Sequence, residues 1–148
     1  MQIPRFNVRV YGLWINDHQQ ILVSDERIGD FKFTKFPGGG LEYGEGSREC
    51  LAREWKEEME LDIEVLEHFY TTDFFQPSAF HIYTQIISIY YFVKPTSTPT
   101  FALQHDRHNF SRQGQEEVLF RWINLNALHL ESVDLPIDKV IVGKLISM

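Results

Sequence analysis

Residues 36–61 read FPGGGLEYGEGSRECLAREWKEEMEL, from Phe36 to Leu61. This stretch decides how the rest of the chain is read, because it sets five glycines and seven glutamates into one loop followed by one helix. The spacing predicts a helix over 46–59. Residues three and four apart share a helix face, so Glu54, Glu57 and Glu58 fall on one arc. Leu51, Ala52, Trp55 and Met59 fall on the neighbouring arc, suited to packing against a sheet, while Glu49 and Lys56 turn towards solvent. Before the helix, Pro37-Gly38-Gly39-Gly40 allows close backbone approach to a ligand, and Gly44 and Gly46 allow a tight re-entry into the helix.

Three carboxylates on one arc repel one another and call for countercharge. The donors on offer are all oxygen, which suits Mg²⁺ or Mn²⁺ and not a structural zinc. Arg53 lies beside the arc and is placed to pair with Glu45, locking loop to helix. No Lys-Ser or Lys-Thr follows the glycines, so this is not a phosphate-binding loop of the GxxxxGK[ST] kind. By composition alone the stretch reads rather as a solvent-facing acidic helix after a glycine turn, and it is the order of residues that favours metal.

The totals narrow the class of protein. A chain of 148 residues with 43% apolar and 24% charged residues fits one soluble domain with its own core. A net charge of −7 argues against binding nucleic-acid polymers or anionic membranes, which needs clustered Lys and Arg. It is compatible with a small phosphorylated substrate held through metal. The single cysteine, Cys50, cannot form an internal disulfide and reads as a small packing residue. The N-terminal MQIPRFNVRVYG lacks the apolar core of a signal peptide, and ISIYYFV is too short to span a bilayer, so a cytoplasmic location is the default.

Outward from the central stretch, RFNVRVYGLWI (5–15) and QILVS (20–24) read as strands joined by the Asn16-Asp17-His18 turn, a hairpin. DERIGDFKF reads as a loop, with Lys32 and Lys35 as candidate phosphate contacts. Strands are expected over 63–72, 82–93 and 116–123, the second in a central sheet position because of its branched and aromatic residues. Phe74 to Phe80 reads as a loop broken by Pro77. Residues 94–115 form one long irregular segment, read either as a variable surface loop or as a substrate-contacting loop through Arg107, His105, His108 and Arg112. A short helical turn is expected over 125–130. Pro136 opens a last helix to about Ser147, with Val140, Ile141 and Leu145 inward. The pattern is that of an α+β domain covering 1–148, with no repeat or linker.

The order Gly39, five residues, Glu45, seven residues, Arg53-Glu54-Trp55-Lys56-Glu57-Glu58-Met59-Glu60-Leu61 resembles the Nudix box of the Nudix hydrolases, the MutT-like family. The match covers 23 residues, with Pro37-Gly38 before it. The resemblance implies an α/β/α sandwich with a mixed, curved sheet between helices. It implies a metal-dependent pyrophosphohydrolase that cleaves a nucleoside diphosphate linked to another group, using Mg²⁺ or Mn²⁺. On that resemblance Glu54, Glu57 and Glu58 correspond to metal-holding carboxylates and Gly39 to the residue whose backbone lines the metal site. Glu45 and Arg53 correspond to the pair that orders the loop and helix. Glu57 is the first choice for deprotonating or orienting water. Members of the family often add a ligand or base from a later element; Glu117 is preferred here over Glu116. The departure is Glu60, where the family pattern has glycine at the helix end.

Substrate choice is less determined. Pro77, 16 residues after Leu61, resembles the proline marker of ADP-ribose pyrophosphatases in the family, though its surroundings match weakly. Nucleoside triphosphates, ADP-ribose and sugar nucleotides all remain open. Phe75 and His81 are further candidate substrate contacts, with Phe6, Tyr11, Phe74, Phe80 and Tyr83 as other aromatics that either stack on a base or fill the core. The rival class is a catalytically silent domain that binds a nucleotide or sugar nucleotide for regulation. The aromatic strands and the resemblance are compatible with a homodimer.

Overall fold

The computed structural model describes residues 3–111 and 116–148. In order the elements are β1 (Arg5–Leu13), β2 (Gln20–Ile28), β3 (Phe31–Lys35), β4 (Gly38–Gly40), α1 (Ser47–Met59), β5 (Ile63–Thr71), β6 (Thr84–Pro95), β7 (Leu103–Gln104), β8 (Glu117–Asn124) and α2 (Pro136–Ile146). Two short 3-10 turns, Leu125–Ala127 and Leu130–Ser132, stand where a helical turn was expected. The class is α+β. The strands form two four-stranded sheets, ordered β4-β1-β6-β5 and β3-β2-β8-β7. Their pairings are mixed, since β7 runs parallel to β8 while β2 runs antiparallel to both β3 and β8.

The chain divides into two compact units, residues 1–12 with 38–99, and residues 13–37 with 100–148. In the first, α1 lies against β4 and β5. Its apolar arc is buried through Leu51, Trp55 and Met59, with Cys50 buried beside them and Val10, Tyr90 and Val93 supplied by the sheet. Trp55 packs over Gly12 so closely that a β-carbon there would stand 2.7 Å from the indole ring. β6 lies inside its sheet between β1 and β5, as its apolar sequence predicted. β5 is an edge strand, and it breaks register with β6 twice, between Val65 and His68 and again between His68 and Tyr70. At each break one extra residue of β5 opposes β6, the mark of a β-bulge. Arg48 braces the first break, donating from Nη1 to the carbonyls of Val65 and Leu66 at 2.9 and 2.8 Å.

In the second unit the core is built from Leu13, Ile21, Leu22, Val23, Phe33 and Phe36 together with Val133, Ile137, Ile141 and Val142. Helix α2 buries Ile137, Asp138, Ile141 and Val142, whereas Val140 and Leu145, expected inward, are only half-buried. Both arcs have i, i+4 spacing, and the helix has turned by about one residue from the expected face.

Three local readings are corrected. DERIGDFKF is not a loop. Its first four residues end β2, and Gly29-Asp30 is a two-residue hairpin turn into β3, with Ile28 opposite Phe31 and Gly29 at φ +60°. The triple glycine is not a free turn but β4, paired antiparallel to β1 with Gly39 opposite Val10. The hairpin of the first two strands exists only at its tip. There Leu22 N–H donates to Trp14 O at 3.0 Å and Ile15 bridges Ile21, while the strands on either side enter different sheets.

Candidate active site

The loop 41–46 and helix α1 are joined by Arg53. Its Nε and Nη2 donate to the two carboxylate oxygens of Glu45 at 2.9 and 2.7 Å, a bidentate pair. Nη2 also donates to the carbonyl of Gly40 at 3.0 Å, tying the helix to the end of β4. Glu45 Oε1 in turn accepts the N–H of Glu42 at 2.9 Å. These bonds hold the Glu45 carboxyl down to a pKa of about 2, the Arg53 hydrogen bonds being the largest cause, and they raise the Arg53 guanidinium further above its ordinary value.

Helix α1 starts at Gly46, whose N–H donates to the Glu49 side chain at 3.1 Å; glycine offers no side-chain cap in return. The helix stops at Glu60, which adopts φ 52° and ψ 36° and donates its N–H to Lys56 O at 3.0 Å. The glutamate therefore takes the left-handed conformation that glycine provides in the family pattern.

The acidic arc faces the same guanidinium. Arg53 Nη1 lies 3.1 Å from Glu54 Oε1 and 3.2 Å from Glu57 Oε2, with Glu42 Oε1 at 3.7 Å. Glu54 is largely sheltered, its side chain 16% exposed, while Glu57 and Glu58 face solvent. Gly39 is tied to Glu54 by shape, because a β-carbon at Gly39 would fall inside the Glu54 carboxylate. Sequence reasoning assigned Glu42 no part, and its only signal is an acid three residues before Glu45. Cys50 is buried, its Sγ 3.4 Å from Gly40 O, and burial pushes its thiol up to about 12, which removes it as a nucleophile.

The donor set suits a hard divalent ion: carboxylates from one helix face and a peptide edge at Gly39 with no side chain in the way. Among the described residues, no group of three or more Asp, Glu, His or Cys side chains is gathered tightly enough to hold an ion as it stands. On the helix, Arg53 Nη1 stands between Glu54 and Glu57 and contacts both.

The remaining candidates lie elsewhere in the two units. In the first, Phe75 is exposed, Pro77 bridges Gln85, and the His81 N–H donates to Ser78 Oγ at 3.0 Å. Tyr11, another candidate stacker, is buried against Tyr90. In the second unit, Lys35 is buried with Nζ 2.9 Å from Glu26 Oε2, and Lys32 is exposed. Arg107 pairs with Asp134 at 2.9 Å. Glu117 opens β8 opposite Arg27, with Nη2 to Oε1 at 3.5 Å, and its Oε2 accepts from Ser111 Oγ at 3.1 Å. Glu116 precedes the strand and is exposed. Arg112 lies outside the described residues.

A glycine strand, an arginine-locked loop and a carboxylate-bearing helix thus stand together in the first unit. Residues 5–142 match the NUDIX domain, and the chain belongs to that family, whose members in general hydrolyse the pyrophosphate linkage of nucleoside diphosphate derivatives. Solved structures agree on the fold. A MutT structure, from work on Aliivibrio salmonicida and Vibrio cholerae, has a TM-score of 0.67 at 21% identity, covering 96% of this chain and 98% of that one. The E. coli ORF135 protein has a TM-score of 0.71 at 18% identity, covering 97% and 90%. A UDP-X diphosphatase has a TM-score of 0.61 at 16% identity, covering 95% and 63%. Among the described residues, no helix is long and apolar enough to cross a membrane.

Proposed function

We propose that this chain is a pyrophosphohydrolase that cleaves a nucleoside diphosphate linked to another moiety, of the nucleoside triphosphate, ADP-ribose or sugar-nucleotide type. The observation that carries the reading is the position of Arg53, which binds Glu45 with two nitrogens and turns the third towards Glu54 and Glu57. Glu54, Glu57 and Glu58, with the Gly39 backbone, would hold Mg²⁺ or Mn²⁺. A bound ion of this kind neutralises pyrophosphate oxygens and acidifies water. Glu45 and Arg53 keep the loop and helix in register so that the acidic arc is presented as one surface. Glu57 Oε1, the oxygen not engaged by Arg53, orients the attacking water or accepts its proton. Phe75, Pro77 and His81 are proposed substrate contacts in the first unit and Lys35 and Arg107 in the second, while Glu117 is the candidate for an added ligand or base. The reading treats residues 1–148 as one functional domain, supported by a family match that runs through both units. It places the protein in the cytoplasm, with a small nucleotide-like substrate and a homodimer as the assembly to test.

The test is a panel of nucleoside triphosphates, ADP-ribose, dinucleotide polyphosphates and UDP-sugars with Mg²⁺ or Mn²⁺, with products identified. One class is turned over, and Glu57→Gln lowers that rate by about 100-fold or more. Turnover that survives Glu57→Gln unchanged overturns the reading. Binding of a panel member with no turnover by the unaltered protein favours the silent regulatory domain instead.

A further inference from the structure

Asp25, on β2, is the hub of a polar cluster inside the second unit, and its side chain is fully buried. Arg121 of β8 grips both oxygens, Nε to Oδ2 at 2.7 Å and Nη2 to Oδ1 at 3.1 Å. Thr34 of β3 donates its hydroxyl to Oδ1 at 2.6 Å. The backbone N–H of His108, from the irregular segment before β8, donates to Oδ2 at 3.1 Å. The His108 ring follows its backbone inward, with Nε2 3.2 Å from Thr34 Oγ1. Arg107 completes the seat. It donates from Nε to Thr34 Oγ1 at 3.1 Å, from Nη1 to Glu131 O at 2.7 Å and from Nη2 to Asp134 Oδ2 at 2.9 Å. Asp134 Oδ2 also accepts the Thr34 N–H at 2.7 Å.

The Thr34 hydroxyl gives its one hydrogen to the Asp25 carboxylate and accepts from Arg107 Nε and, at 3.3 Å, from Arg121 Nη2, so the His108 ring meets a hydroxyl that is already shared by two guanidinium groups and a carboxylate. The charges that face the ring are already matched. Asp25 from β2 and Asp134 before α2 are negative, and Arg121 from β8 and Arg107 from the segment itself are positive. Phe110 stacks near the ring at 5.8 Å, and Arg27 lies over the Phe110 ring at 5.0 Å, its charge answered by Glu117. His105 and Asp106 are exposed, and the Glu131 side chain is 84% exposed, with Lys139 3.8 Å away. A protonated His108 therefore brings an unmatched positive charge into a half-buried site between two arginines. His108 sits at φ +55°, a left-handed conformation uncommon for residues other than glycine, and its carbonyl accepts the Phe110 N–H at 2.8 Å.

We infer that His108 is an acid-released latch: protonation of its ring frees residues 103–111 from their seat on Asp25 and Thr34. Burial, aided by Arg107 and Arg121, pushes the His108 pKa below its ordinary 6.5 and outweighs the opposing pull of Asp25 and Asp134. The undocked state then takes the proton first as pH falls. Docking is at full strength above about pH 6.5 and weakens below it, down to the docked-state pKa. Asp25 remains charged across this window: burial opposes its ionisation, but the bonds from Arg121 and Thr34 outweigh that and hold its pKa below 3.8.

Hydrogen exchange of amides 103–110, corrected for intrinsic rates, is measured between pH 7.5 and 5.0 in the whole protein and in His108→Gln, whose amide can hydrogen-bond in either sense but cannot titrate. The unaltered chain loses protection by up to about tenfold per pH unit below 6.5, and the variant does not. Flat protection in the unaltered chain, or a parallel loss in the variant, overturns the latch. If the variant does not fold, ring titration by NMR in the unaltered protein decides. A His108 pKa below 6.5, with the Asp25 and Arg121 signals shifting at the same midpoint, supports the latch. A pKa at or above 6.5, or no coupled shift, refutes it.

Discussion

Gly39 and Glu54 occupy one another's space: the place a Gly39 β-carbon would take is filled by the Glu54 carboxylate. Gly39→Ala therefore pushes the Glu54 side chain away from β4. We expect a loss of about 1–3 kcal/mol of stability from the forced shift, measured by urea unfolding. We also expect Mn²⁺ affinity, read by calorimetry, to fall by at least about tenfold, because a ligand set depends on where its members are held. Unchanged Mn²⁺ binding would remove Gly39 and Glu54 from the proposed metal surface.

Glu45 gives a pH signature. Its folded pKa of about 2 is depressed from an ordinary 4.5, chiefly by the bonds from Arg53. On acidification the unfolded chain takes up this proton first, so the stabilisation is complete above about pH 4.5 and is lost as pH falls towards 2. In Glu45→Gln this part of the acid response disappears. Thermal midpoints of the two proteins should differ most near neutral pH and converge by about pH 2. A constant offset across the range would mean that the charge of Glu45 is not what Arg53 reads.

Glu60 stands in a left-handed conformation at the end of α1. Glu60→Gly removes the steric cost of that conformation and should stabilise the protein by about 1 kcal/mol, seen as a higher thermal midpoint. Metal affinity should not move, since Glu60 lies beyond the acidic arc. A destabilised variant would show that the Glu60 side chain makes a contribution larger than its backbone cost.

Arg48 braces the first bulge of β5 through two carbonyls and lies over the Tyr91 ring at 4.7 Å. Arg48→Ala should cost about 1–2 kcal/mol. The loss should be local, appearing as faster amide exchange around residues 65–69 before any change in α1. Uniform loss across the first unit would show that the bulge is not separately held.

The Nudix box was legible because it is written contiguously: loop, pairing residues and acidic arc fall within residues 39–61, and helical spacing alone divides their roles. The Arg53–Glu45 pair and the buried face with Leu51, Trp55 and Met59 follow from local order, whereas Ala52, expected on that face, is only half-buried and the left-handed turn at Glu60 is seen only in the structure. The second half of β2, from Asp25, and all of β3 were not legible for a physical reason. Asp25, Arg27 and Lys35 are charged, yet each is at most 5% exposed, and this defeats the reading of polar residues as loop. Two of their partners, Arg121 and Glu117, lie at least 90 positions away in sequence, so no local pattern announces the pairing. The triple glycine misled for the opposite reason. Glycine is normally poor in strands, but here Val10 and Tyr11 leave no room for a side chain at Gly38, and Glu54 leaves none at Gly39.

The two bulges of β5 bear on how the protein behaves when it is crowded. A strand at a sheet edge presents a row of unpaired peptide groups that a second chain can copy. In β5 that row is broken twice, and exposed Glu64, Glu67 and His68 stand along it, so a straight neighbour cannot keep step for more than about three residues before meeting a bend or a charge. On its β5 side the sheet is thus kept in a form that a straight neighbouring strand does not extend. A self-association surface, if the protein uses one in solution, is to be sought away from this edge.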